Sequence, residues 1–206
     1  MAARGRPRNF DRNDALDKAL DLFWRHGYDN TSMADLSAAM ALRPPSIYAA
    51  FGSKEGLFEE VVERYSERVG KDIWGNLDRF KSAREATRHL LVSTIETFSH
   101  PENPRGCMIV LAAPQPDAEH SSVARSLCER RKGNVQVLKT IYADAVRRGE
   151  IPRGADLDRI ANYYVTVQHG LSIQTRDGMD RDALMAVADA AMATWPSLIK
   201  TSLASS

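Results

Sequence analysis

Between Thr31 and Ser53 the chain places two apolar-periodic segments, each about two turns long, on either side of Ala41-Leu42-Arg43-Pro44-Pro45. No other stretch restricts the fold as much. Proline has no amide hydrogen and a fixed φ, so Pro44-Pro45 is tolerated only in a turn or in the first turn of a helix. The segment that follows, about Pro45 to Phe51 and closed by Gly52, is too short to persist as an isolated helix. Neighbours must hold it. Ahead of it, Thr31 or Ser32 can cap a helix whose Leu36, Ala39 and Met40 face inward. Earlier still, Asp11 can cap a helix with the apolar stripe Ala15, Leu16, Ala19, Leu20 and Phe23, stopped by Gly27. Three short helices with a tight turn between the second and third form a helix-turn-helix, which lays its last helix in the DNA major groove.

The remainder also reads as helix. Ser53 can cap a fourth helix carrying Leu57, Phe58, Val61, Val62 and Tyr65. The pattern loosens near Gly70–Asn76, and Ser82-Ala83-Arg84-Glu85 reads as a capping box opening a helix toward Phe98. His100–Gly106 and Pro114-Gln115-Pro116 are breaks around a short apolar segment, Cys107 to Ala113. A long helix is expected from Ser122 to Arg148, another from Leu157 to Thr175. An alanine-rich one capped by Asp180 stops at Trp195-Pro196. Strand-like alternation is absent, so the expectation is an all-α fold of about nine helices. The expected division is a basic arm over 1–10, the helix-turn-helix over 11–57, and a helical bundle over 58–200.

Composition narrows the function classes. The hydrophobic share of 43% and charged share of 27% are those of an ordinary globular chain, and no apolar run is long enough for a membrane helix. Met1 to Asn9 has no apolar signal region, so a cytoplasmic protein is expected, with no membrane partner. The five histidines and two cysteines show no metal-ligand spacing. There is no Gly-x-Ser-x-Gly elbow, P-loop or dinucleotide fingerprint. An enzyme, a metal site and a cofactor are therefore not expected. Cys107 and Cys128 read as small buried apolar residues.

The net charge of +1 hides an uneven distribution. Arg4, Arg6 and Arg8 stand in the first eight residues with no acid among them, which suits phosphate or groove contact; the alternative is a solvated tail. On the third helix Ile47 and Phe51 would dock inward, leaving Pro44, Ser46, Tyr48 and Ala49 outward or at the helix start. Tyr48 and Lys54 can reach phosphates, Lys54 beside a helix N-terminus. Arg43 can pair with guanine or, alternatively, with a phosphate.

Several runs carry a family resemblance. Thr31-Ser32-Met33-Ala34-Asp35-Leu36, Leu42, Ser46-Ile47-Tyr48 and Phe51-Gly52-Ser53-Lys54-Glu55-Gly56-Leu57-Phe58 resemble the signature of the tetracycline-repressor (TetR) family. Ala19, Leu22, Phe23 and Gly27-Tyr28 agree. Two positions depart from that pattern. Ala41 stands where the family often has glycine, so its backbone either avoids the left-handed region or is strained there. Pro44-Pro45 replaces polar base-reading residues. Arg4-Gly5-Arg6-Pro7 is similar to the core of an AT-hook, an extended strand that lies in a narrow A·T minor groove.

The resemblance implies a dimeric, ligand-responsive regulator, probing a palindromic operator through Arg4, Arg6, Arg8, Thr31, Ser32, Met33, Arg43, Pro44, Ser46, Tyr48, Ala49 and Lys54. It implies a small, partly apolar effector, with Trp74, Phe98, Met108, Tyr142, Tyr163, Gln168 and His169 as candidate lining. It also implies that the last two long helices pair across a two-fold axis. The apolar stripe expected at that seam is Leu157, Ile160, Ala161, Tyr164, Gln168 and Leu171, with Leu184, Val187, Ala188, Ala191 and Trp195. The alternative is that both helices pack inside one subunit. The competing function is an architectural binder of A·T-rich DNA that senses nothing.

Overall fold

The computed structural model describes residues 10–113 and 122–200, and every regular element among them is helical. α1 (Arg12–His26) starts at Asp11, whose carboxylate accepts from the Asn13 and Asp14 amides. It ends at Gly27, with φ 78°, where a Cβ would lie 2.9 Å from the Ala112 carbonyl oxygen. Both the backbone angle and the close approach require glycine there. α2 (Met33–Met40) begins at Ser32 and α3 (Pro44–Phe51) at Arg43. The helix thus starts one residue earlier than the sequence suggested, with both prolines in its first turn.

Ala41 joins α2 to α3 in the left-handed region, φ 53° and ψ 38°. Of the two readings open at this position, strain is the one observed. It costs a non-glycine residue about 1–2 kcal/mol. The turn is held regardless, because the Ala41 amide donates to the Ala38 carbonyl and the Leu42 amide to that of Ser37.

α4 (Lys54–Tyr65) is capped by the Ser53 hydroxyl, which accepts from the Gly56 amide. It runs through one π-turn (Ser66–Gly70) directly into α5 (Lys71–Trp74). The loosened pattern near Gly70 is this wider turn and the stop that follows it at Gly75. α6 (Ala83–Ser99) is capped twice: Ser82 accepts from the Glu85 amide, and Glu150 accepts from those of Ala83 and Arg84. α7 (Met108–Leu111), α8 (Ser122–Arg147), α9 (Leu157–Arg176), α10 (Arg181–Ala193) and α11 (Trp195–Leu198) complete the chain.

One apolar core runs through the molecule. In the N-terminal third, Phe58 meets Phe23 and Tyr28 edge-on, each at 5.0 Å between ring centroids. At the far end Trp195 contacts Tyr142 at 5.6 Å and Tyr164 at 5.7 Å. The N-terminal third is stapled to the segment around α7. The Trp24 indole donates to the Gly106 carbonyl at 2.7 Å, and the Tyr28 amide to that of Ala112 at 2.9 Å. Arg64 of α4 grips Asp17 of α1 at 2.6 Å, while Glu63 accepts from Arg130 of α8 at 2.9 Å. α4 is therefore fastened to the first three helices on one side and to the bundle on the other.

Candidate nucleic-acid interface

α3 divides sharply by face. Ile47 and Phe51 are buried, four residues apart, while Pro44, Pro45, Ser46, Tyr48 and Ala49 are exposed. At 100° per residue, Pro45 and Ala49 lie opposite the buried pair, with Pro44 and Tyr48 on one flank and Ser46 on the other. Tyr48 is 47% exposed, high for so large a side chain on an otherwise packed module. Pro45 is not among the DNA-facing residues expected from the sequence, yet its exposure and its place two residues before Ile47 put it on the outer ridge.

The charges sort themselves further. Arg12 pairs with Glu60 at 2.6 Å and lies 4.6 Å over the Phe51 ring, pinning the end of α3. Lys18 pairs with Asp14 and Arg25 with Asp21, each at 2.8 Å. The Lys54 ammonium sits 4.2 Å over the Tyr28 ring, and its partial burial lowers its pKa. Among the described residues up to Leu57, Arg43 is the one Lys or Arg with neither a carboxylate nor a ring as partner. It is exposed at the N-cap of the outward helix.

The start of α2 is less open than its residue types suggested. Thr31 is 1% exposed, its hydroxyl donates to the Gly27 carbonyl and its amide to that of Tyr28. The Ser32 amide and hydroxyl both donate to Asp35, and these bonds hold that carboxylate below its usual pKa. Neither residue has a spare donor for a phosphate. The amides of Met33 and Ala34, at the first two helical positions, are what this helix start still offers. Arg4, Arg6 and Arg8 lie outside the described residues.

Residues 15–61 match the model for "Bacterial regulatory proteins, tetR family". The HTH-type transcriptional repressor ComR of Escherichia coli K12 is 34% identical over 199 residues, spanning 96% of this chain and 95% of ComR. The chain belongs to the TetR family. A cysteine-substituted form of the TetR family regulator CifR, solved with 26-base-pair operator DNA, is 41% identical. It superposes with a TM-score of 0.88 over 93% of this chain and 100% of that one. AibR, solved with isovaleryl coenzyme A and operator DNA, shares the fold at 17% identity and a TM-score of 0.64, over 88% of this chain and 96% of AibR. ComR and CifR are transcriptional regulators rather than enzymes, and so is this TetR-family chain.

The bundle of this regulator holds a cavity of about 270 Å³, lined by Tyr65, Ser66, Gly70, Ile73, Trp74, Cys107, Ile109 and Asn134 among others. Trp74 is the residue of the expected lining that stands here. Phe98, Met108 and Tyr142 are fully buried core, and Tyr163 is half-buried against Tyr164 at 5.0 Å. Gln168 is buried with its amide nitrogen on the Thr94 hydroxyl, and its oxygen has no partner among the described residues. Burial and the nearby Arg131 lower the His169 pKa to about 4. The Tyr65 hydroxyl lies 3.4 Å from the Cys107 sulfur, and burial raises the pKa of both groups, keeping them protonated. Tyr65 and Cys107 are 42 positions apart, so no local pattern could have paired them.

The stripe expected at the two-fold seam packs inside the subunit. Ile160, Ala161, Tyr164, Gln168, Leu171, Leu184, Ala188, Ala191 and Trp195 are all buried in the single chain, and Leu157 is half-buried. Val187 alone of that set is exposed. What α9 and α10 leave uncovered is a different face, which includes Thr166 and Ile173, then Ala186, Val187 and Ala190.

Proposed function

We propose that the protein is a ligand-responsive repressor that binds palindromic operator DNA as a homodimer, with the outward face of α3 in the major groove. The observation that carries this reading is Arg43, exposed at the head of α3 and without a carboxylate or ring partner among the described residues, while Arg12, Lys18, Arg25 and Lys54 each have one. An unpaired arginine at that place suits a bidentate contact to guanine O6 and N7. That CifR, a similar chain, was solved bound to operator DNA supports operator binding here. Two half-sites read by one dimer supply the affinity that so short a helix lacks.

The dimer reading rests on the face of α9 and α10 left open by the subunit core, where Ala186 and Ala190 allow close helix approach beside Ile173 and Val187. The effector reading rests on the cavity beneath α4. Its volume suits a small molecule, and Tyr65, Ile73, Trp74 and Ile109 give it an apolar wall. The cavity touches the π-turn of the same continuous helix that grips α1 through Arg64 and Asp17. A ligand that binds better when this helix is displaced shifts the population away from the DNA-competent state.

Gly70 supplies the test. A Cβ there would stand 3.8 Å from the Ser66 side chain, so substitution is unstrained. Gly70→Leu should fill the cavity, keep DNA binding and abolish release by any effector found in a ligand panel. Release that survives this substitution would place the effector elsewhere.

A further inference from the structure

We infer that the recognition helix reads its operator through thymine C5-methyl groups, with Pro45 and Ala49 as the contacting ridge and Pro44 beside it. The inference rests on the operator reading above and adds the chemistry of the half-site.

A helix N-terminus ordinarily carries free amide hydrogens that bind phosphate or a base acceptor. The start of α3 offers none. Pro44 and Pro45 have no amide hydrogen, and the amides of Ser46 and Ile47 both donate to the Arg43 carbonyl, at 2.9 Å and 3.3 Å. Between Arg43 and Lys54 no residue carries a charge. Along the outermost line of the helix, opposite Ile47 and Phe51, stand one proline ring and one methyl group. The Ser46 and Tyr48 hydroxyls sit on the flanks. A surface of that kind cannot hydrogen-bond to the centre of a base edge. It can pack against the one apolar feature of the major groove, the thymine methyl.

The side chains are also short, which lets the helix backbone approach the bases closely. A proline ring loses no rotamer freedom on contact. Arg43, two residues before the ridge, then marks a guanine at the border of the methyl-lined positions. A cytosine or uracil opposite Pro45 would leave a gap where the methyl should be, so discrimination comes from lost packing rather than from an unpaired donor.

The test is a deoxyuridine scan. An operator located by footprinting is synthesised with each thymine replaced in turn by deoxyuridine, which removes one methyl and leaves every hydrogen-bonding group in place. Binding of the full-length protein is measured by fluorescence anisotropy. Loss of the methyl at one or two symmetry-related positions in each half-site should weaken binding about fourfold, the equivalent of one buried methyl. The Pro45→Ser protein should bind the thymine operator more weakly and no longer distinguish it from its deoxyuridine counterpart. Helical circular dichroism and an unchanged dimer mass show that this variant is folded. If no deoxyuridine position changes affinity while the operator is still bound, the methyl readout is wrong and the operator reading stands. If methyl sensitivity survives in both Pro45→Ser and Ala49→Ser, it belongs to another element and this assignment is overturned. Failure to bind any operator would overturn both.

Discussion

α3 and α9 are both amphipathic helices, yet their faces carry opposite lessons. On α3 the apolar pair Ile47 and Phe51 is buried, and the residues proposed to meet DNA are what remains outside. On α9 the apolar stripe from Ile160 to Leu171 looked like a seam for a second subunit, but its own chain covers it. An apolar stripe marks what a helix buries, and in a chain with enough helices the first partner is itself. The residues free to meet another molecule are the ones each stripe leaves out: Pro45 and Ala49 on α3, Thr166 and Ile173 on α9.

The largest expected effect separates inside from outside on the last helices. Trp195→Ala should cost about 3–5 kcal/mol of folding stability, because a buried indole contacting Tyr142 and Tyr164 leaves a cavity. Val187→Asp should leave helicity intact and shift sedimentation toward monomer. A folded, fully dimeric Val187→Asp protein would break the proposed seam. On the DNA side, Arg43→Ala should weaken operator binding by about 1–3 kcal/mol and relax specificity at one base pair. A uniform loss across sequences, with a smaller salt slope, would assign Arg43 to a phosphate instead.

His169 gives the comparison a pH signature. Its pKa in the folded protein is about 4 against an ordinary 6.5, chiefly from burial. Between those values the unfolded chain binds the extra proton, so stability falls as pH drops from 6.5 toward 4. The loss should be roughly 1–2 kcal/mol once the solvent still reaching the ring is allowed for. His169→Asn should flatten that part of a denaturation-versus-pH curve. An unchanged slope would show that the ring is solvated. The smallest effect is at Ala41, where Ala41→Gly should relieve left-handed strain and stabilise the module by up to about 1 kcal/mol, read as a higher Tm.

The local signals in the sequence were reliable where the interaction itself is local. Asp11, Ser53, Ser82, Asp156 and Asp180 accept from amides two or three residues on, and four of these caps were legible from their spacing. Asp156 was not singled out, although the helix it caps was. The long-range features were illegible for a physical reason. Thr31 looks like a phosphate donor until Tyr28 and Gly27 occupy both its hydrogens. The cavity is assembled from α4, the π-turn, α5, α7 and α8, whose contacts depend on how the helices cross. The π-turn itself appears in sequence only as a fading period near Gly70.

The central claim is that α3 and Arg43 deliver a two-fold dimer to one inverted repeat. A footprint of the purified protein on the DNA flanking its own gene, repeated with Arg43→Ala, tests it most directly. The account predicts protection of a single palindrome by the unmodified protein and its loss, at the same concentration, in the variant. Diffuse protection of A·T-rich DNA that Arg43→Ala leaves unchanged would contradict it and favour an architectural binder.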